Sequence, residues 1–199
     1  MIRLRWRRRA GILTTVLLVS IVVGAPVQAA DDEVPTPTGK TEAVYGDRII
    51  DMAKDWESAE ACLVWPEVVD IPECFDSEEE MDRRIAELEK MMGSSFDEAD
   101  LDGGRAVATS CSGYLSLYDG TSYGGASLYL RGQGEWFDLA TFNFNQKTSS
   151  FKIGPCSAYF ADLAGGQGAW YPTAETQAYD VAPTMATGWN NDVSSVYIK

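Results

Sequence analysis

Two short runs of amide and hydroxyl side chains stand forty-five residues apart in the C-terminal half of the chain. They are Asn145-Gln146-Lys147-Thr148-Ser149-Ser150 and Asn190-Asn191-Asp192-Val193-Ser194-Ser195. Neutral oxygens of this kind satisfy backbone groups in turns. When six to eight of them converge, they ligate a hard cation such as calcium. Other chemistries are closed to this chain. It has no histidine in 199 residues, which removes Ser-His and Cys-His nucleophile pairs, HExxH zinc sites and imidazole proton transfer. A pair of carboxylates working as in glycosidases stays open. Residues 106–199 hold only seven acids, however, and nothing in their spacing converges two of them. The chain reads as a non-enzyme.

The two runs sit inside a longer repeat. Phe151-Lys152-Ile153 follows the first and Val196-Tyr197-Ile198 the second, and Cys111-Ser112 precedes Cys156-Ser157 at the same offset. Tyr118-x4-Tyr123-x-Gly125 aligns with Tyr159-x4-Ala164-x-Gly166. Two units sharing these landmarks point to a duplicated supersecondary motif. Short alternating runs such as Leu115-Ser116-Leu117-Tyr118 and Ser127-Leu128-Tyr129-Leu130, separated by Gly-rich turns, predict an all-β domain over 106–199. Gly120, Gly125 and Gly166 are placed to supply positive φ. Trp136, Leu139, Trp170 and Trp189 supply bulk for a small core.

These residues resemble the βγ-crystallin Greek key, which carries an aromatic corner Y/F-x4-Y/F-x-G and closes with N/D-N/D-x-x-S/T-S before its last strand. Residues 190–195 fit the second signature throughout, and 145–150 depart only at Gln146. The first corner is complete; the second has Ala164 in place of an aromatic. The stretch from Cys111 to Ile198 is also similar to the secreted actinobacterial βγ-crystallin-like proteins grouped with metallopeptidase inhibitors. The resemblance implies two Greek keys forming a βγ-crystallin-like sandwich. It implies calcium ligation by Asn190, Asn191, Asp192 and Ser194 from one loop and Asn145, Gln146, Lys147 and Ser149 from the other, with hydroxyls crossing between sites. Asp192 is the only carboxylate in the two hexapeptides, so the implied binding is weak.

The resemblance also implies inhibition of a secreted protease, and protease-inhibitor-like action is the leading expectation. A calcium-binding structural or interaction module without inhibitory activity is the alternative. The exposed loops available for inhibition are Asp162 to Gly168 and Tyr171 to Pro183. A third reading, a binding or toxin-like module at a cell surface, rests on Tyr and Trp side chains stacking on sugars. Their strand spacing places most of them in the core instead.

The N-terminal half has a different character. Arg3, Arg5, Arg7, Arg8 and Arg9 precede an apolar run from Ala10 to Gly24 and the small residues Ala29 and Ala30. This order is that of a cleaved secretory signal over residues 1–30. Five of the sixteen basic residues lie there, which leaves eleven against thirty acids, a net charge near −19. Such a field repels phosphate, so nucleic acid and anionic membranes are poor partners. Four cysteines in an exported chain imply two disulfides. Chain order favours Cys62–Cys74 and Cys111–Cys156. Residues 31–105 read as an acidic linker followed by a helical hairpin. Ile49, Ala53, Trp56 and Leu63 share a helical face in the first arm. Ser77 with Glu80 caps the second, which carries Met81, Ile85, Leu88 and Met92 as its stripe and stops at Gly93. The acidic run from Asp97 to Gly104 lacks the order of a calcium loop and reads as a solvated connection.

Overall fold

The computed structural model describes residues 41–96, 114–172 and 175–199. These belong to one compact unit, Val34–Lys199. The expected signal (1–30), the linker (31–40), the acidic loop (97–104) and Cys111 lie outside the described residues. Among the described residues no helix is long and apolar enough to cross a membrane.

The first arm of the expected helical hairpin is β structure. Strand β1 (Glu42–Tyr45) turns at Gly46, whose φ is +62°, into β2 (Arg48–Asp51). Strand β3 (Ala61–Val64) pairs with β4 (Glu73–Phe75) and sets Cys62 directly opposite Cys74, which are disulfide-bonded. The helical spacing of Ile49, Ala53, Trp56 and Leu63 is coincidental. Tyr45 and Ala43 alternate inward on a strand, and a left-handed turn glycine breaks any continuous helix. Trp56 instead lies buried, with its indole N–H donating to the Phe142 carbonyl at 2.8 Å.

The second arm is helix α1 (Glu78–Phe96). The Glu80 N–H donates to Ser77 Oγ at 3.3 Å, as an N-cap requires. The helix runs three residues beyond Gly93, since one interior glycine costs only about 1 kcal/mol. Met81, Ile85 and Leu88 are buried against Ala61, Leu63, Trp65 and Tyr129. Each such side chain contributes about 1.5–3 kcal/mol.

Two Greek keys follow. The first comprises β5 (Tyr114–Tyr118), β6 (Ser127–Arg131), β7 (Trp136–Asp138) and β8 (Ser150–Ile153). The second comprises β9 (Ala158–Ala161), β10 (Trp170–Tyr171), β11 (Val181–Ala182) and β12 (Ser195–Ile198). Each key lends its third strand to the other. Strand β11 pairs with β8, and β7 pairs with β12. One sheet has the order β10-β9-β12-β7, the other β11-β8-β5-β6-β3-β4-β1-β2. The Greek-key sandwich expected from the motifs is therefore present.

The N-terminal strands extend its first sheet, because β3 runs parallel to β6 with Cys62 opposite Leu128 and Leu63 opposite Tyr129. This explains why β3 and β6 are buried at every position. Cys62, Val64, Leu128 and Leu130 face the sandwich core, while Ala61, Leu63 and Tyr129 face α1. The residues expected to fill the core divide between its inside and its outer face. Leu139 is fully buried and Trp189 packs against the core, but Trp170 is 41% exposed. Strand alternation turns Trp136, Tyr159, Trp170 and Tyr197 to the outer face of the four-stranded sheet, since Phe137, Phe160 and Val196 occupy its inner face.

Candidate metal centre

The two hexapeptides face each other as a matched pair. Gln146 N–H donates to the Val193 carbonyl at 2.8 Å, and Asn191 N–H donates to the Thr148 carbonyl at 3.0 Å. These bonds are equivalent under the forty-five-residue offset. Gln146 and Asn191 both adopt the left-handed conformation, with φ +55° and +57°, which Asn tolerates better than most residues. The next residues anchor the loops to the first strand of each key. Ser149 N–H donates to the Tyr118 carbonyl and Ser194 N–H to that of Ala161, each at 2.8 Å. Ser150 Oγ and Ser195 Oγ each donate to a hairpin carbonyl, of Gly120 and Leu163, at 2.6 Å.

Among the side chains proposed for the site, one pair crosses between the loops. Ser149 Oγ donates to Asn191 Oδ1 at 3.0 Å and also lies 3.5 Å from the Lys147 carbonyl. Three neutral oxygens from both runs thus gather at one point, and this donor chemistry suits a hard cation. Asn145, Gln146, Lys147, Asn190 and Asn191 are exposed at the loop surface, Asp192 is half-buried, and Ser149 and Ser194 are buried. The mirrored pair does not form: among the described residues Ser194 Oγ has no hydrogen bond to Gln146. Lys147 Nζ is drawn aside to Asn143 Oδ1 at 3.3 Å. Among the described residues no group of three or more His, Cys, Asp and Glu side chains is gathered to hold a metal. The candidate ligands here are therefore amide, hydroxyl and carbonyl oxygens with the single carboxylate of Asp192.

The loops rest on supports that no local stretch of sequence signals. The Trp56 ring stacks on Phe144 with centroids 5.6 Å apart, and Asn143 Nδ2 donates to the Lys54 carbonyl at 3.2 Å. The N-terminal segment thereby props the turn leading into the first hexapeptide. Only contacts remote in sequence carry this information.

The folded hairpins show the duplication in a different register from the one expected. Asp119 Oδ1 accepts from Ala126 N–H, and Asp162 Oδ1 accepts from Ala169 N–H, both at 2.8 Å. A Cβ on Gly125 or on Gly168 would lie 1.9 Å from the respective carboxylate oxygen. The second corner is therefore Ala161-x4-Gly166-x-Gly168, two residues later than Tyr159-x4-Ala164-x-Gly166. Gly166 replaces the corner aromatic, and the Trp136 ring fills the space, where a Cβ would come within 2.2 Å. Gly120 has φ −104°, so the positive φ expected of it is absent. Cys156 is disulfide-bonded, while Cys111, its expected partner, lies outside the described residues.

No protein-family model and no curated protein matches the chain. Solved structures do. A βγ-crystallin from Ciona intestinalis shares 22% identity, covering 43% of this chain and 99% of that one, with a TM-score of 0.38. The N-terminal domain of Protein S shares 23% over 43% of this chain and 94% of that one, with a TM-score of 0.36. A βγ-crystallin domain from Clostridium beijerinckii shares 20% over 42% and 94%, with a TM-score of 0.36. The assignment of a βγ-crystallin-like sandwich rests on this chain's own strand order and exchanged strands. Likenesses at these TM-scores add nothing about what the protein binds.

Proposed function

We propose that this protein is a non-catalytic, exported interaction module whose βγ-crystallin-like sandwich is stabilised by weakly bound calcium. The observation that carries the reading is the crossing of Ser149 Oγ onto Asn191 Oδ1, within a pair of loops locked by reciprocal backbone bonds. A site built this way needs little ordering on binding, so even neutral oxygens can contribute net affinity. Asn190, Asn191, Asp192 and Ser149 would hold one ion, and Asn145, Gln146, Lys147 and Ser194 the other. The first set is the stronger because it contains the crossed hydroxyl and the only carboxylate. A bound ion would tie the end of one key to the end of the other.

Export follows from residues 1–30, whose basic start, apolar run and small-residue end support a cleaved signal. Protease inhibition, drawn from family resemblance, has less support. An inhibitory loop needs an extended backbone with free peptide groups. The turn from Asp162 to Gly168 is folded, with Gly165 N–H on Asp138 and Gly166 N–H on Ser195 Oγ at 3.0 Å. Val181 and Ala182 are paired into the first sheet.

Thermal melts of residues 31–199 in chelator and in millimolar calcium test the proposal. The expected affinity lies in the extracellular range of roughly 10⁻⁴–10⁻³ M. At ten times the dissociation constant, one site adds about 1.4 kcal/mol by mass action. Asp192→Ala should remove most of that gain and leave the melt in chelator unchanged. An identical wild-type midpoint with and without calcium would end the calcium reading and leave the hexapeptides as self-satisfied turns.

A further inference from the structure

A cleft of about 720 Å³ opens between the β3–β4 connection and the turn around β7. It lies apart from the hexapeptide loops. We propose that it binds a basic peptide segment in which a lysine or arginine neighbours an apolar side chain. Its size falls in the usual range of ligand sites, about 300–1,000 Å³, and far exceeds what a single ion needs. Trp65 on one wall and Trp136 and Phe142 on the other provide apolar and aromatic surface. The ionisable groups lining it are all of one sign, Asp70, Glu135 and Asp138, with no lysine or arginine among them.

Those carboxylates are unevenly engaged. Asp138 Oδ1 accepts from Gly165 N–H. Among the described residues, Asp70 and Glu135 have no hydrogen bond or ion pair through their carboxylates, and both are exposed at the rim. A neutral ligand filling the cleft would strip water from these acids and return nothing, and an anion would be repelled. A cation restores what desolvation removes. Outside the cleft lining, Trp65 already stacks with one guanidinium: Arg131 lies 3.8 Å from its ring centroid and is neutralised by Glu89 at 2.7 Å. Cation and aromatic ring attract at this range. Thirty acids against sixteen bases in the chain also steer a basic partner inward.

The apolar half of the ligand has a path out of the cleft. Trp136 is shared between the cleft and the outer face of the second sheet. There it lies 5.5 Å from both Trp170 and Tyr197, and Tyr159 lies 5.0 Å from Trp170. A peptide leaving the acidic rim over Trp136 therefore stays on aromatic surface.

The test uses residues 31–199 in chelator, so that calcium plays no part. Acetyl-Phe-Arg-amide is titrated by calorimetry and tryptophan fluorescence beside acetyl-Phe-citrulline-amide, which has nearly the same shape without the charge. The arginine peptide should bind at least about tenfold tighter, a difference worth one decade in the dissociation constant. The preference should shrink in high salt. The double variant Asp70→Asn, Glu135→Gln should bring the arginine peptide to the citrulline level with an unchanged melting temperature, since both side chains are exposed. Equal affinity for the two peptides, full affinity in the double variant, or no saturable signal up to about 10 mM, where binding is weaker than the millimolar range, would each overturn the proposal.

Discussion

At the scale of single residues, the fold depends on two aspartates that each hold a folded hairpin closed. Asp119 and Asp162 accept the N–H of the residue seven positions on, across Gly125 and Gly168. Gly168→Ala places a Cβ at φ +81° against the Asp162 carboxylate. It should cost about 2–3 kcal/mol, from left-handed strain plus the displaced hydrogen bond. Gly165→Ala, at φ +62° with open space around it, should cost only about 1 kcal/mol of strain. Urea denaturation of the two variants separates them, and equal losses would contradict the proposed role of Asp162. The hexapeptides were legible in the sequence because turn chemistry is local. The second corner is hidden in the sequence because Tyr159 and Gly166 match the first and last positions of the pattern by chance. The true position carries no aromatic, since Trp136 from another strand supplies the ring.

At the scale of elements, α1 and the β3–β4 pair show why half of the N-terminal segment was readable. The helix carries its own signals, a cap at Ser77 and a stripe that the sheet buries. Strand β3 gains its burial from pairing with β6, more than sixty residues later, and β1 and β2 join the sheet through β4, so no local window contains the partner that anchors them. The disulfide between Cys62 and Cys74 was legible from compartment and order, although it staples strands where a helical hairpin was expected. Replacing both cysteines by alanine frees a loop with a separation of twelve residues, and should cost about 3 kcal/mol on the chain-entropy model. Denaturation of that variant without reductant measures the loss. Beside it, Arg84 donates to both oxygens of Glu73, at 2.7 and 2.8 Å, and fixes the start of α1 to β4.

The same helix carries a pH-dependent term. Burial, followed by the charge of Glu78, raises the Asp82 carboxyl above its ordinary value of 3.8, against a smaller opposing pull from Lys152. A carboxyl raised in the folded state disfavours folding once ionised. The penalty is absent below 3.8 and sets in as pH rises through the raised value. Asp82→Asn should therefore raise the melting temperature at neutral pH and leave it nearly unchanged in acid. A melt series across pH, wild type beside variant, checks both the sign and the window.

At the scale of the molecule, a duplicated sandwich is completed by a segment from outside the duplication. The sheet formed by β8, β5 and β6 would otherwise end at β6, whose free edge is a template for pairing with other chains. Strand β3 covers that edge and α1 covers the outer face. The acidic character of residues 31–105 was legible from composition, but its place on the sheet was not. The central claim is that the two facing hexapeptides are where the molecule meets calcium. Amide chemical shifts of residues 31–199 during a calcium titration test it most directly. Saturable shifts centred on 145–149 and 190–194, with half-saturation in the range of roughly 10⁻⁴–10⁻³ M, are the predicted result. Shifts confined to the acidic surface of α1, rising without saturation while both loops stay unmoved, would contradict it.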